Sequence, residues 1–290
     1  MLNRLFGNYL VEKGIMTENQ LNTLLPVKKE FKAGLEVIAV ITKAMTPAVV
    51  QEILANIDKE IEHFGEAAVN QGCITDDKLD ELLAYQSNNF MKFVQLLVDQ
   101  GYISYDNINH EMDHFQQKKE LNDIQISALI HDDLDQCINI FVPLKSPRLK
   151  ELTKTLVQTL RRIIDRDVYL EKAYTARSIQ LDKYACQMII GDMHVKFYIS
   201  APDEGLLAIA NHFTGDTYAT VTEDALDSVG EFINCVSGLF ATNMSYENIS
   251  VDMNSPEYAM EGPFISNETL YVIPIHANGY SLRAVFEVYQ

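Results

Sequence analysis

The chain has no tryptophan, only 8 prolines in 290 residues, and 23 basic residues against 41 acidic ones. The shortage of cations is the most informative of these. A net charge of −18 at pH 7 argues against nucleic acid and anionic membrane surfaces as partners, because both are held by clustered Lys and Arg. No apolar run approaches the roughly 20 residues that a membrane-spanning helix needs. Met1-Leu2-Asn3-Arg4 leads into a stretch bearing Gly7 and Glu12, unlike the apolar core of a signal peptide. Cys73, Cys137, Cys186 and Cys235 lie far apart with no C-x-x-C pair. That spacing reads as thiols in a reducing compartment, not as a disulfide framework or zinc site. A cytoplasmic protein is expected.

Several chemistries lack their residues as well. There is no G-x-x-x-x-G-K-[ST] phosphate loop. Asp132, Asp133 and Asp135 lack the spacing of a calcium loop. His194, His212 and His276 fall on different segments with no H-x-x-x-H pattern, and read as structural or exposed. No bound metal or cofactor is expected of this chain.

What is present begins with self-similarity at an offset of 29 residues over 1–120. Val11, Val40, Val69 and Val98 share a column, as do Thr17, Thr46, Thr75 and Ser104. Gly14, Lys43, Gly72 and Gly101 align, with Lys43 the departure. Each copy reads as a short amphipathic helix ended at Gly, the residue that takes the left-handed C-terminal cap cheaply, with the second copy degenerate at Lys43. A hydroxyl that caps the next helix follows. One such hairpin cannot bury its apolar face alone, so the copies must stack. The third copy, from His63-Phe64-Gly65 through Gly72, Leu79, Leu83 and Gln86, resembles the MshEN type of N-terminal domain found on type II secretion and pilus ATPases. Some members of that family bind cyclic di-GMP through an Arg and a Gly at the start of the motif. The Arg positions here are Leu5, Gly34, His63 and Lys92, and the Gly is lost in the fourth copy. The resemblance therefore implies the helical fold more firmly than the ligand.

Residues 121–147 read as a connecting segment broken by Ser146-Pro147. From there Leu149, Leu152, Leu156, Leu160 and Ile163 predict a helix. Alternation at Tyr184-Cys186-Met188-Ile190 and Val195-Phe197-Ile199 predicts strands, as do 270–273 and 281–289, the latter pair joined at Asn278-Gly279. A short helix is expected over 205–213 and a long one over 220–243, opened by a Thr220/Glu223 capping box. The expected organisation is a helical repeat region over 1–120, a connector over 121–147 and a mixed domain over 148–290. The fold class is α+β: N-terminal all-α hairpins, then an α/β domain with long helices on a mainly antiparallel sheet.

On the long helix, Leu226, Val229, Ile233, Val236 and Phe240 form one apolar stripe. Asp227, Glu231, Asn234 and Gly238 fall almost opposite, within an arc of about 60° at ~100° per residue. On spacing alone a solvated helix face is the better explanation of such a ridge. The wider context adds information. The stretch from Asp227 to Gly238 resembles the CheC/CheX family of chemotaxis phosphatases, whose signature is D/S-x-x-x-E-x-x-N with a Pro about 22 residues later. Pro256 follows Asn234 with 21 residues between. Ala208 to Gly215 resembles that family's short helix and glycine turn. With a single copy of the signature, the chain looks closer to CheX than to CheC.

The resemblance implies hydrolysis of the aspartyl phosphate on a CheY-like response regulator. Asn234 would orient the attacking water, and Glu231 would pair with the receiver's Lys. Asp227 and Gly238 would support docking. Mg²⁺ would come with the receiver's own carboxylates, so this chain need hold none. A homodimer is implied by the same analogy. Two alternatives stay open: a non-catalytic module for regulator binding or dimerisation, and a cyclic di-GMP-sensing adaptor working through the repeats.

Overall fold

The computed structural model describes residues 1–26, 30–57, 63–165, 168–181, 183–260, 263–277 and 279–289. The chain divides into two compact units between Asp133 and Leu134.

The first unit is helical: α1 (Leu2–Glu12), α2 (Glu18–Leu24), α3 (Leu35–Ile41), α4 (Pro47–Asn56), α5 (Phe64–Asn70), α6 (Asp76–Ala84), α7 (Asn89–Asp99), α8 (Tyr105–Lys118) and α9 (Asp123–Ile130). α1, α3, α5 and α7 end at Glu12, Ile41, Asn70 and Asp99, each 29 residues after the last. The turns share one backbone solution. Gly14, Gly72 and Gly101 have φ of 76°, 68° and 73°, and Lys43 takes the same place at φ 57°. A side chain in that region costs roughly 1–2 kcal/mol. The hydroxyls of Thr17, Thr46 and Thr75 then accept from the free N–H groups of α2, α4 and α6. The core gathers Phe6, Tyr9, Phe90 and Phe115, with Phe6 edge-on to Phe90 and Phe115 at 5.8 and 5.5 Å. Gly65 is a close approach of helices, since a Cβ there would stand 2.7 Å from Leu79 Cδ1. Below that core Glu111 is buried and takes hydrogen bonds from Tyr9 (2.9 Å) and Lys13 (2.6 Å). Burial alone would raise its carboxyl, but Lys13 and Tyr9 hold it below the usual value.

The second unit holds α10 (Leu134–Phe141), α11 (Pro147–Ile163), β1 (Tyr169–Leu170), β2 (Tyr174–Gln180), β3 (Tyr184–Gly191), β4 (Val195–Ser200), α12 (Asp203–Thr214), α13 (Glu223–Tyr246), β5 (Val251–Met253), β6 (Glu257–Ala259), β7 (Pro263–Ala277) and β8 (Tyr280–Val288). The sheet runs β1-β7-β8-β4-β3-β5, with β2 also on β7 and β6 also on β3. Its pairings are antiparallel. The architecture of the chain is α+β, a helical region followed by an antiparallel sheet carrying long helices. The 121–147 stretch is not a bare connector: α9 belongs to the first unit and α10 to the second. Of the expected Asn278-Gly279 turn, Asn278 lies outside the described residues. Gly279 has φ 77°, and Ala277 pairs with Tyr280.

Both faces of the sheet carry apolar packing, the face toward α13 being the more deeply buried. On one, β3 meets α13, which also packs on α11 and α12. On the other, Cys186 and Tyr198 join Leu181, Leu270, Val272 and Val285 in a cluster. Glu287 lies on that second face, in the same period-2 register as Val285. It accepts from Tyr198 Oη at 2.6 Å and from the Ser266 hydroxyl. Burial would raise this carboxyl too, yet hydrogen bonds from Ser266, Tyr198 and Tyr289 hold it below the usual value. Burial also pushes the Cys186 thiol up to about 11, which makes it a poor nucleophile at neutral pH.

Candidate functional site

α13 begins at a hydroxyl cap, but not the expected one. Thr222, not Thr220, is the N-cap, its Oγ1 accepting from Ala225 N at 3.3 Å. Glu223 and Asp224 then occupy the first turn, where the helix dipole favours acids. The apolar stripe is buried completely: Leu226, Val229, Ile233, Val236 and Phe240 are all at 0% exposure. That burial fixes the rotation of the helix about its own axis.

The same rotation places the four residues of the ridge. Asp227 and Glu231 are exposed, while Asn234 and Gly238 are half-buried. Asn234 Nδ2 lies 3.4 Å from Glu231 Oε2, a long contact that leaves both groups able to take other partners. An added Cβ on Gly238 would meet nothing within 4 Å, so no packing within the chain requires glycine there. Leu239, the next residue, is 45% exposed. Cys235 is half-buried beside Asn234.

Two features lie under the ridge, and the first was not read from the sequence. The first is Gln187 on β3, at 0% exposure. Its Nε2 donates to Asn234 Oδ1 at 2.8 Å and to the backbone carbonyl of Asn254 at 2.8 Å. The second is Pro256, whose Cβ would stand 3.1 Å from a Cβ added at Gly230. The segment between β5 and β6 therefore presses on α13 one residue before Glu231. The only advance sign of this packing was the interval from Asn234 to Pro256; nothing local pointed to Gln187.

The loop after α12 is held to the same helix. Gly215 closes α12 at φ 79°. Asn211 donates to Tyr218 O at 3.2 Å and accepts from Tyr218 N at 2.7 Å. Tyr218 Oη then meets Ser228 Oγ at 3.2 Å. Of His194, His212 and His276, the last two are engaged elsewhere. His212 meets Ala208 O of its own helix, and His276 pairs with Glu171 at 2.7 Å. Among the described residues no group of His, Cys, Asp and Glu could hold a metal ion, and no helix is long and apolar enough to cross a membrane. In the helical unit, Leu5 and Lys92 are buried, Gly34 is half-buried and His63 is exposed. A 360 Å³ cavity lies in that unit, with Met91, Met112 and Ile126 among its walls and Lys43, Lys78 and His131 among its polar residues.

Residues 184–276 match the family model described as "Chemotaxis phosphatase CheX", a span that contains α13 and all four ridge residues. The second unit is thus CheX-like in this segment; the match does not reach residues 1–120. No curated protein matches the chain. Among solved structures, a chemotaxis protein CheX from Desulfovibrio desulfuricans is 17% identical, with a TM-score of 0.44 over 50% of this chain and 100% of that one. A CheC-like superfamily protein from Shewanella sp. PV-4 is 16% identical, with a TM-score of 0.45 over 51% and 100%. A CheX–CheY–BeF3–Mg²⁺ complex from Borrelia burgdorferi is 12% identical, with a TM-score of 0.39 over 49% and 97%.

Proposed function

We propose that this protein hydrolyses the aspartyl phosphate of a CheY-like receiver domain, with Asn234 and Glu231 entering the receiver side by side. The carrying observation is an exposed carboxylate and a half-buried carboxamide one turn apart on α13, 3.4 Å from each other, inside the segment that matches the CheX family model. An acyl phosphate is already reactive, so the protein's task is chiefly to place a water in line with the scissile bond. The water oxygen bonds to phosphorus as the bond from phosphorus to the aspartyl oxygen breaks. Inorganic phosphate leaves and the receiver carboxylate is restored.

A carboxamide suits that placement, since it is neutral and does not repel the phosphoryl oxygens. In this reading Glu231 pairs with the receiver's Lys and sets the docking register. Asp227 supports the contact one turn earlier, and bare Gly238 lets the partner approach the helix. The receiver's own carboxylates hold Mg²⁺. Because residues 195–290 hold 2 basic and 13 acidic residues, long-range steering toward an acidic receiver pocket is unfavourable. Docking then depends on the Glu231 pair and on apolar contact at Leu239. A cytoplasmic homodimer belongs to the same reading.

The test is the decay of CheY-type receivers phosphorylated with acetyl phosphate in Mg²⁺, with and without the full chain. Acceleration by the native protein is expected. Asn234→Ala should remove it by on the order of 100-fold, and Glu231→Ala should act mainly through KM. Unchanged decay across a panel of receivers would sink the enzyme reading. Retained binding in that case would favour a non-catalytic receiver-binding module.

A further inference from the structure

The most anomalous polar group in the second unit is Gln187. It sits in the middle of β3, opposite Phe197 in register, with Ala185 and Ile189 on the same face and no exposure to solvent. Its Oε1 is buried and has no hydrogen-bond partner among the described residues. A buried acceptor left unpaired is destabilising, and Leu or Met would fill such a site without that cost. Among the described residues, the two bonds at the other end of the side chain are its hydrogen bonds.

Those bonds have a fixed sense. The carbonyl of Asn254 can only accept, so the end of Gln187 that faces it must be the NH₂ group. The same NH₂ group meets Asn234, so Asn234 must turn its oxygen inward. Its own NH₂ group is then left facing Glu231 and the outside. The orientation of an amide at the surface is thus decided by a main-chain carbonyl, through one buried side chain. Asn254 is itself anchored, its N–H donating to Met188 O at 3.0 Å.

We infer that Gln187 is a positioning residue for the phosphatase reaction: it locks the Asn234 carboxamide so that an incoming receiver and its water meet the amide as a donor. This rests on the proposed phosphatase reading, but its structural half can be measured without any activity. In the apo protein, the Asn234 side-chain NH₂ pair should give a distinct, shifted amide signal by NMR, assigned by its loss in Asn234→Ala. In Gln187→Met that signal should move toward the position of a freely rotating amide.

In receiver dephosphorylation, Gln187→Met should lower kcat by about 10- to 100-fold with KM changed less than about 2-fold. Gln187→Met should have no further effect on kcat in an Asn234→Ala background, because its action runs through Asn234. Gln187→Leu is the second variant if Met packs poorly, and thermal melts identify the folded ones. An unmoved Asn234 signal, or an equal fall in kcat with and without Asn234, overturns the positioning role while leaving the phosphatase reading standing. If the native protein dephosphorylates nothing, the phosphatase reading falls, and the Asn234 signal alone decides whether Gln187 orients the amide.

Discussion

The two units differ in how much of their polar bonding is local. The helical unit buries one long-range carboxylate, Glu111, which accepts from Tyr9, 102 residues away, but its repeated polar devices are short-range and near the surface. Thr17, Thr46 and Thr75 cap helices within three residues of themselves. The sheet unit puts its polar groups inside and connects them across long stretches of chain. Gln187 reaches Asn234, 47 residues away, and Tyr198 reaches Glu287, 89 residues away. Local solutions can be repeated along a chain; the nonlocal ones occur once and mark places where the orientation of a group matters.

Five substitutions would break or sharpen this contrast. The largest effect is expected in the helical unit's aromatic core, where Phe6→Ala should cost about 3–5 kcal/mol in denaturant unfolding. A smaller loss would mean that the helices can close around the gap. Next comes Glu287→Gln in the sheet unit. It removes a charged acceptor from three hydroxyl donors, and should cost roughly 1.5–3 kcal/mol.

The pH dependence of that carboxylate has a definite sign. Its folded pKa is depressed below the ordinary 4.5. Its contribution is therefore present above that value and is lost as the pH falls through the folded pKa. Glu111 in the helical unit is depressed likewise, so both units should weaken on acidification. Glu287→Gln should flatten the acid limb of the sheet unit alone, read from amide hydrogen exchange in β7 and β8 against that in α1 and α7.

Thr75→Ala should cost about 1 kcal/mol, and Asn122→Ala, which removes a capping box with Gln125, about the same. The smallest change has the opposite sign. Lys43→Gly relieves a left-handed side chain and should stabilise by up to about 1 kcal/mol, less its exposed pair with Asp113 at 3.3 Å. A loss on Lys43→Gly would show that the pair outweighs the backbone strain.

The same contrast explains what could be read from the sequence. Helix ends in the first unit are written within a few residues, as a left-handed position followed by a hydroxyl. The rotation of α13 was legible because five apolar residues on one stripe leave a single way to bury it. Its start was not, since Thr220 and Thr222 offer similar hydroxyls two residues apart and only Thr222 caps the helix. Alternation through Tyr184, Cys186, Met188 and Ile190 identified β3, but the intervening face of Ala185, Gln187 and Ile189 is the more deeply buried one, and a polar Gln187 gave no sign of its depth. β5 and β6 are three residues each, too short for a period of two to register. β2 and the first half of β7 pair with each other across a shift in register, which breaks the pattern each would otherwise show.

Gly230 and Pro256 act together as a spacer of fixed thickness between the edge of the sheet and the ridge of α13. A methyl group inserted at Gly230 would work as a shim, forcing its neighbour to give by a few tenths of an ångström. Gly230→Ala thus offers a way to tilt the docking face by a small step while every charge and amide on it stays the same.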